Sequence, residues 1–283
     1  MILDAISARK KVRAGVALQS AYMHAFLKVS YLACLLITIM ASTFYYLQAY
    51  QSDRTRPGEL AALVLGGTIK GETNFIAVFV QLIPIFLILV IWGNFLKYEL
   101  TFRCRIVLAK CKSMSVWYGS LLLSVLIYAF FLAVTSTAVV FITGTGAREF
   151  MTGILHLQNS VDHNVSLSLG LPSTLATSIN MLNLFVMLYT RIVCLLMIQM
   201  FIWLIAADGK LPLLVTTVIA GVTLLYPKTL WLPIGGTMFF TKLLTDRATW
   251  ICVLVPLCYI TVTALAGWLY VLRTDWMTRF NHR

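Results

Sequence analysis

One arginine stands inside an otherwise apolar run. Arg191 lies within residues 180–206, in the company of Asn180, Asn183 and Thr190. At about 100° per residue these four side chains fall within an arc of about 100°, on one face of a helix. That face is unsuited to lipid, because an arginine within hydrocarbon costs about 2.5–3.5 kcal/mol even on insertion scales. It must face protein or a water-filled cavity. Two readings follow: a packing network, with Arg191 snorkelling or paired to a neighbouring helix, or part of a solute path. Gln81 and Pro84, in the run 74–96, pose the same choice between a kinked, cavity-lining wall and packing alone.

A second constellation is surface chemistry. In IWGNFLKYELTFRCRIVLAKCKSMSVWYGS, residues 91–120, an apolar run passes into Lys97, Glu99, Arg103, Arg105, Lys110 and Lys112. Phe102, Ile106, Val107 and Leu108 interleave with these charges. The plain reading is a basic loop holding its side of a membrane, and the richer one a helix below the membrane presenting a mixed face to a partner.

Other chemistries lack their residues. GGTIKGET at 66–73 has the glycine spacing of a phosphate-binding loop but puts Glu72 where the phosphate-contacting lysine belongs, and a carboxylate repels phosphate. No other such loop occurs, and neither HExxH nor GxSxG is present, so neither ATP hydrolysis nor enzyme catalysis is expected of this chain. His24, His156, His163 and His282 are dispersed; His156 and His163 share residues 144–179 with Glu149 and Asp162 and read as solvated loop residues rather than metal ligands. Cys34, Cys104, Cys111, Cys194, Cys252 and Cys258 lie in apolar runs or in the basic segment, without zinc-site spacing, and are expected to be reduced packing residues. The triplet Asn164-Val165-Ser166 is a formal glycosylation sequon of a kind that arises often by chance.

The elements that must position these residues are set by composition. The 283 residues are 60% hydrophobic and 11% charged, with mean hydropathy +0.89. Soluble domains carry about 25% charged residues, so lipid is the expected solvent. The net charge of +12 is spread between apolar runs without a nucleic-acid-binding signature. Runs of about 20 apolar residues use up the chain as one all-α membrane domain: six transmembrane helices near 29–50, 74–96, 115–143, 180–206, 211–227 and 250–272.

Lys and Arg are twice as many on one side of these spans as on the other, which predicts both termini in the cytosol, in a multi-pass protein of the cell membrane. Residues 1–28 read as an amphipathic interfacial helix, with Ile2, Ile6, Val12 and Val16 among Arg9–Arg13, or as a bare basic anchor; they lack a cleavable signal and are expected to be retained. Residues 29–283 form the membrane domain, with a cytosolic segment at 97–114. The outer stretch 226–249 is apolar but broken by Pro227, Pro233, Gly235 and Gly236, and is expected to dip into the membrane as a re-entrant element. Internal repeats are not evident.

With those residues in place, the chain resembles the permease subunits of ABC-2-type ABC transporters. That family follows its second span with a glutamate, an arginine, a Leu-rich stretch, a Pro-Ser-Arg-like turn and the third span. Here stand Glu99, Arg105, Ile106-Val107-Leu108, Ala109-Lys110-Cys111-Lys112-Ser113 and Gly119. Cys111 takes the place of the usual proline, and the glycine after the glutamate is missing. The likeness covers the whole chain in the order and spacing of its parts, including the inner turn Asp208-Gly209-Lys210.

The resemblance implies a permease that pairs with itself or a similar chain and carries two ABC ATPase subunits, which bind the ATP and Mg. It makes Glu99, Arg103, Arg105, Lys110 and Lys112 the ATPase-coupling surface. It also makes the second and fifth spans the cavity walls, which favours Gln81 as a path residue; Asn180, Asn183, Thr190 and Arg191 are the further path candidates. The expected cargo is a hydrophobic or amphiphilic solute, such as an antimicrobial-type peptide or a drug, moved outward by alternating access. The rival readings are an ATPase-independent transporter or immunity protein, and, behind them, an intramembrane enzyme.

Overall fold

A computed structural model describes residues 29–50, 64–65, 75–100, 114–158, 181–206, 210–226, 231–235 and 246–273. The described residues form six helices and no strand: α1 (Val29–Tyr50), α2 (Phe75–Tyr98), α3 (Met114–Gln158), α4 (Met181–Ala206), α5 (Lys210–Leu225) and α6 (Asp246–Arg273). Four of them, α2, α3, α4 and α6, are long and apolar enough to cross a membrane. The described residues are thus those of a helical membrane protein. The helical state follows from the solvent, since hydrocarbon offers no partner for a backbone N–H or C=O. Buried hydroxyls obey the same rule by bonding back onto their own helix, as Thr43 does to Ile39 O (2.8 Å), Thr190 to Val186 O (2.7 Å) and Thr223 to Ile219 O (2.6 Å).

The centre of the bundle is α4. It packs against α2, α3, α5 and α6, and every residue from Thr190 to Met200 is buried. Its apolar window is 72% buried, against 17% for that of α6. A helix with apolar residues on every face belongs in such a position, and its few polar residues then need partners within the protein. The outer helices are one-sided: α1 buries Leu35, Ile39, Ser42, Thr43 and Tyr46 and exposes Ile37, Met40 and Phe44.

Close contacts between helices are polar or small, as expected where apolar burial alone distinguishes poorly between neighbour and lipid. Ser42 reaches Val80 O at 3.2 Å, joining α1 to α2. Gln199 Nε2 donates to Leu89 O at 2.9 Å, joining α4 to α2, with Gly93 at the crossing; a Cβ there would lie 3.0 Å from Gln199 Nε2. Tyr118 donates to Ala264 O at 3.1 Å where α3 meets α6, and its ring occupies the space a side chain at Gly267 would need.

Most helix edges fall where the hydropathy places them, with one correction. α3 does not stop near 143 but continues to Gln158, so that Arg148, Glu149 and His156 stand on helical backbone rather than in a loop. Hydropathy ends at Gly146, but nothing there ends a helix: no proline follows, and Ala147, Arg148, Glu149 and Met151 are adequate helix formers. At its C-terminal end, α2 carries Lys97 in its last turn and widens into a π-type turn at Glu99–Leu100. The amphipathic reading of residues 1–28 lies outside the described residues.

Candidate functional site

Gln81 and Arg191 meet across one cavity. It has a volume of about 50 Å³, room for a few water molecules, and is lined by α1, α2, α3, α4 and the pair Val64–Leu65. Ten of its thirteen lining residues are apolar; the polar ones are Gln81, Ser136 and Arg191. Pro84 belongs to the same wall, one turn beyond Gln81, and removes a backbone hydrogen bond from α2 at that level.

Each polar side chain is oriented by a named contact or by the lack of one. Gln81, 6% exposed, donates from Nε2 to the Tyr46 hydroxyl at 2.8 Å, which ties α2 to α1. Arg191, 4% exposed, donates from Nη1 to the Leu65 carbonyl at 2.7 Å. Ser136, 3% exposed, makes no hydrogen bond among the described residues. The other buried serines and threonines there, namely Ser42, Thr43, Ser120, Ser124, Thr190, Thr216, Thr223 and Thr263, all bond a backbone carbonyl of their own helix.

Two non-spanning pieces of chain reach into the bundle against α4. Leu65 comes from the connection between α1 and α2, and its carbonyl is taken by Arg191. The turn Trp231–Gly235 comes from the connection between α5 and α6; Cys194 donates its thiol to Pro233 O at 3.6 Å, and Tyr259 of α6 donates to Trp231 O at 3.1 Å. Pro233, Ile234 and Gly235 are buried. Cys194 lies about 15 Å along α4 from Leu184, at 1.5 Å per residue, so the turn reaches the middle of the apolar window. Irregular backbone survives at such depth only when protein side chains satisfy it, and these donors do so.

The remaining candidates fall as follows. Thr190 is buried but spends its hydroxyl on Val186 O, and among the described side chains of the polar stripe Arg191 is the one that lines the cavity. Asn180, Arg103, Arg105, Lys110 and Lys112 lie outside the described residues, as does the side chain of Asn183. Glu99 is fully buried within the chain, beside an equally buried Leu100. Among the described residues no group of metal-ligating side chains comes together.

Three polar residues of the bundle escaped the sequence reading. Gln199 sits in LLMIQMF, an interruption of the same kind as Arg191, and could have been found by the same logic. Tyr46 and Ser136 give no such signal, since tyrosines and serines are common in apolar spans.

Comparison of the chain with protein-family models, with curated proteins and with solved structures found no match.

Proposed function

We propose that the chain is the permease subunit of an ATP-driven exporter, with six spans, both termini in the cytosol, and a path for a hydrophobic or amphiphilic solute. The observation that carries this reading is Arg191, buried beside a cavity on the innermost helix. The bond to the Leu65 carbonyl gives this arginine a packing role, and its place on a cavity wall is what favours a path, given the cost of an intramembrane arginine.

The mechanical link runs along α2. Gln81, Pro84 and Leu89 form one wall of the cavity, and the same helix continues through Lys97 into the basic segment 97–114. In this reading an ATPase docks on Arg103, Arg105, Lys110 and Lys112 and closes on ATP. Its push travels up α2 as a rigid element, and the proline at position 84 lets the wall bend against α4. Glu99, being buried, anchors the start of the lever rather than meeting the partner. The 226–249 stretch serves as an outer re-entrant element, supported by the depth of the Trp231–Gly235 turn. α5, about 24 Å long at 16 residues, spans with help from the chain at its outer end.

The test is affinity purification of the tagged chain from its native membrane in mild detergent. The reading predicts a nucleotide-binding subunit in the eluate and its loss when Arg105→Glu and Lys110→Glu are combined. An eluate without such a subunit, together with intact transport in the charge-reversed variant, supports an ATPase-independent transporter instead.

A further inference from the structure

We infer that the open groove between α3 and α4 is a binding site for one acyl chain of a bilayer phospholipid. The inference needs only that these helices span a membrane, and it holds whether or not an ATPase drives the chain.

The groove is lined by Val134, Thr137, Ala138, Phe141 and Ile142 of α3 and Phe185 of α4, and has a volume of about 390 Å³. Sites for small molecules run to about 300–1,000 Å³, so there is room for a hydrocarbon chain. All six residues lie within the apolar windows Met114–Gly146 and Leu184–Ala206, which sets the groove at membrane depth. It runs about 12 Å along α3, from Val134 to Ile142, and ends about 6 Å short of Gly146 at 1.5 Å per residue. Val134, Ala138, Phe141 and Ile142 are exposed, so the groove is open to the surrounding lipid.

The lining selects hydrocarbon. Thr137 is its one polar residue, and that hydroxyl is spent on Ala133 O at 2.8 Å. Water needs two or more polar partners, and a polar solute would lose its hydration without replacement. The spacing of side chains then favours a flexible chain over a helix of a second copy. Close helix pairing in a membrane uses small residues four apart, whereas Ala138 has Val134 and Ile142 four positions to either side. One wall is set in advance: the Phe185 ring is parallel to Tyr189 (4°, centroids 6.4 Å apart) and edge-on to Phe130 (82°, 5.8 Å). A wall already in place lowers the ordering cost of binding.

The experiment titrates the full chain, delipidated in detergent, with a phosphatidylcholine that carries a diazirine in one acyl chain, and maps the photoadducts by peptide mass spectrometry. Exposed Leu254, Val262, Leu265 and Leu269 of α6 report unselective contact. The inference predicts labelling of Val134–Ile142 and Phe185 that starts at low lipid and levels off as the site fills, while labelling of α6 rises in proportion to the lipid added. Ala138→Phe, which fills the groove from an exposed position, should cut the groove labelling several-fold with the α6 labelling and the melting temperature unchanged. Thr137→Val should leave the groove labelling as it is, because the hydroxyl plays no part in recognition. Groove labelling that rises in proportion as on α6, that survives Ala138→Phe, or that is lost in Thr137→Val would overturn the inference. So would efficient disulfide linkage of two chains through Ala138→Cys in native membranes, which assigns the groove to a second copy.

Discussion

At Arg191 two demands coincide, for its guanidinium both satisfies a backbone carbonyl far from water and lends charge to a cavity. Arg191→Leu should therefore leave the Leu65 carbonyl without its donor and lower stability by about 1–3 kcal/mol, measured by denaturant unfolding in detergent micelles. Gln199 offers the contrasting case. Its Nε2 bonds Leu89 O, but its Oε1 is buried without a partner. Gln199→Leu removes one interhelical bond, worth about 0.6 kcal/mol in a membrane, and one unmet acceptor together. The expected change in stability is close to zero, and a loss above about 2 kcal/mol would show that the acceptor has a partner in the folded protein. These residues also show what a sequence discloses at this scale. Arg191 and Gln81 were legible because polarity in an apolar run is costly and so conspicuous. Ser136 was not, because its meaning lies in a hydrogen bond it fails to make, which depends on rotamer and neighbours.

Among the helices, glycines with different surroundings separate packing from propensity. At Gly267 an added Cβ would lie 3.1 Å from Tyr118 Cζ and closer still to the hydroxyl that bonds Ala264 O. Gly267→Ala must displace that ring and loosen α3 from α6, at a cost of about 1–3 kcal/mol. At Gly221, on α5, a Cβ meets nothing within 4 Å, so Gly221→Ala should be neutral or stabilise by up to about 1 kcal/mol through helix propensity. Thermal unfolding of the two variants side by side reads the difference directly. Hydropathy located the apolar helices well because lipid leaves the chain so few options. It misplaced the end of α3 because the loss of apolar character at Gly146 marks where a span stops, not where a helix stops. Prolines and glycines mark 226–249 as irregular in the sequence; the attachment of Trp231–Gly235 to Cys194 and Tyr259 has no such mark, since those partners lie 39 and 28 residues away.

For the whole molecule, the proposed topology makes a prediction of its own. In a cysteine-free background, single cysteines at Arg148 and Lys242 should react with a membrane-impermeant maleimide in intact cells, and one at Lys210 only after lysis. Labelling of Lys210 from outside would invert the arrangement and remove the basic segment 97–114 from the reach of any ATPase. The central claim is that this chain, which has no nucleotide-binding loop of its own, is driven by one that does. The most direct measurement is ATP hydrolysis by the affinity-purified complex reconstituted in lipid vesicles. The account predicts hydrolysis that co-elutes with the chain and is lost from the eluate of the Arg105→Glu/Lys110→Glu variant, even though that chain still inserts; a wild-type preparation that folds, inserts and shows no associated ATP hydrolysis would contradict it.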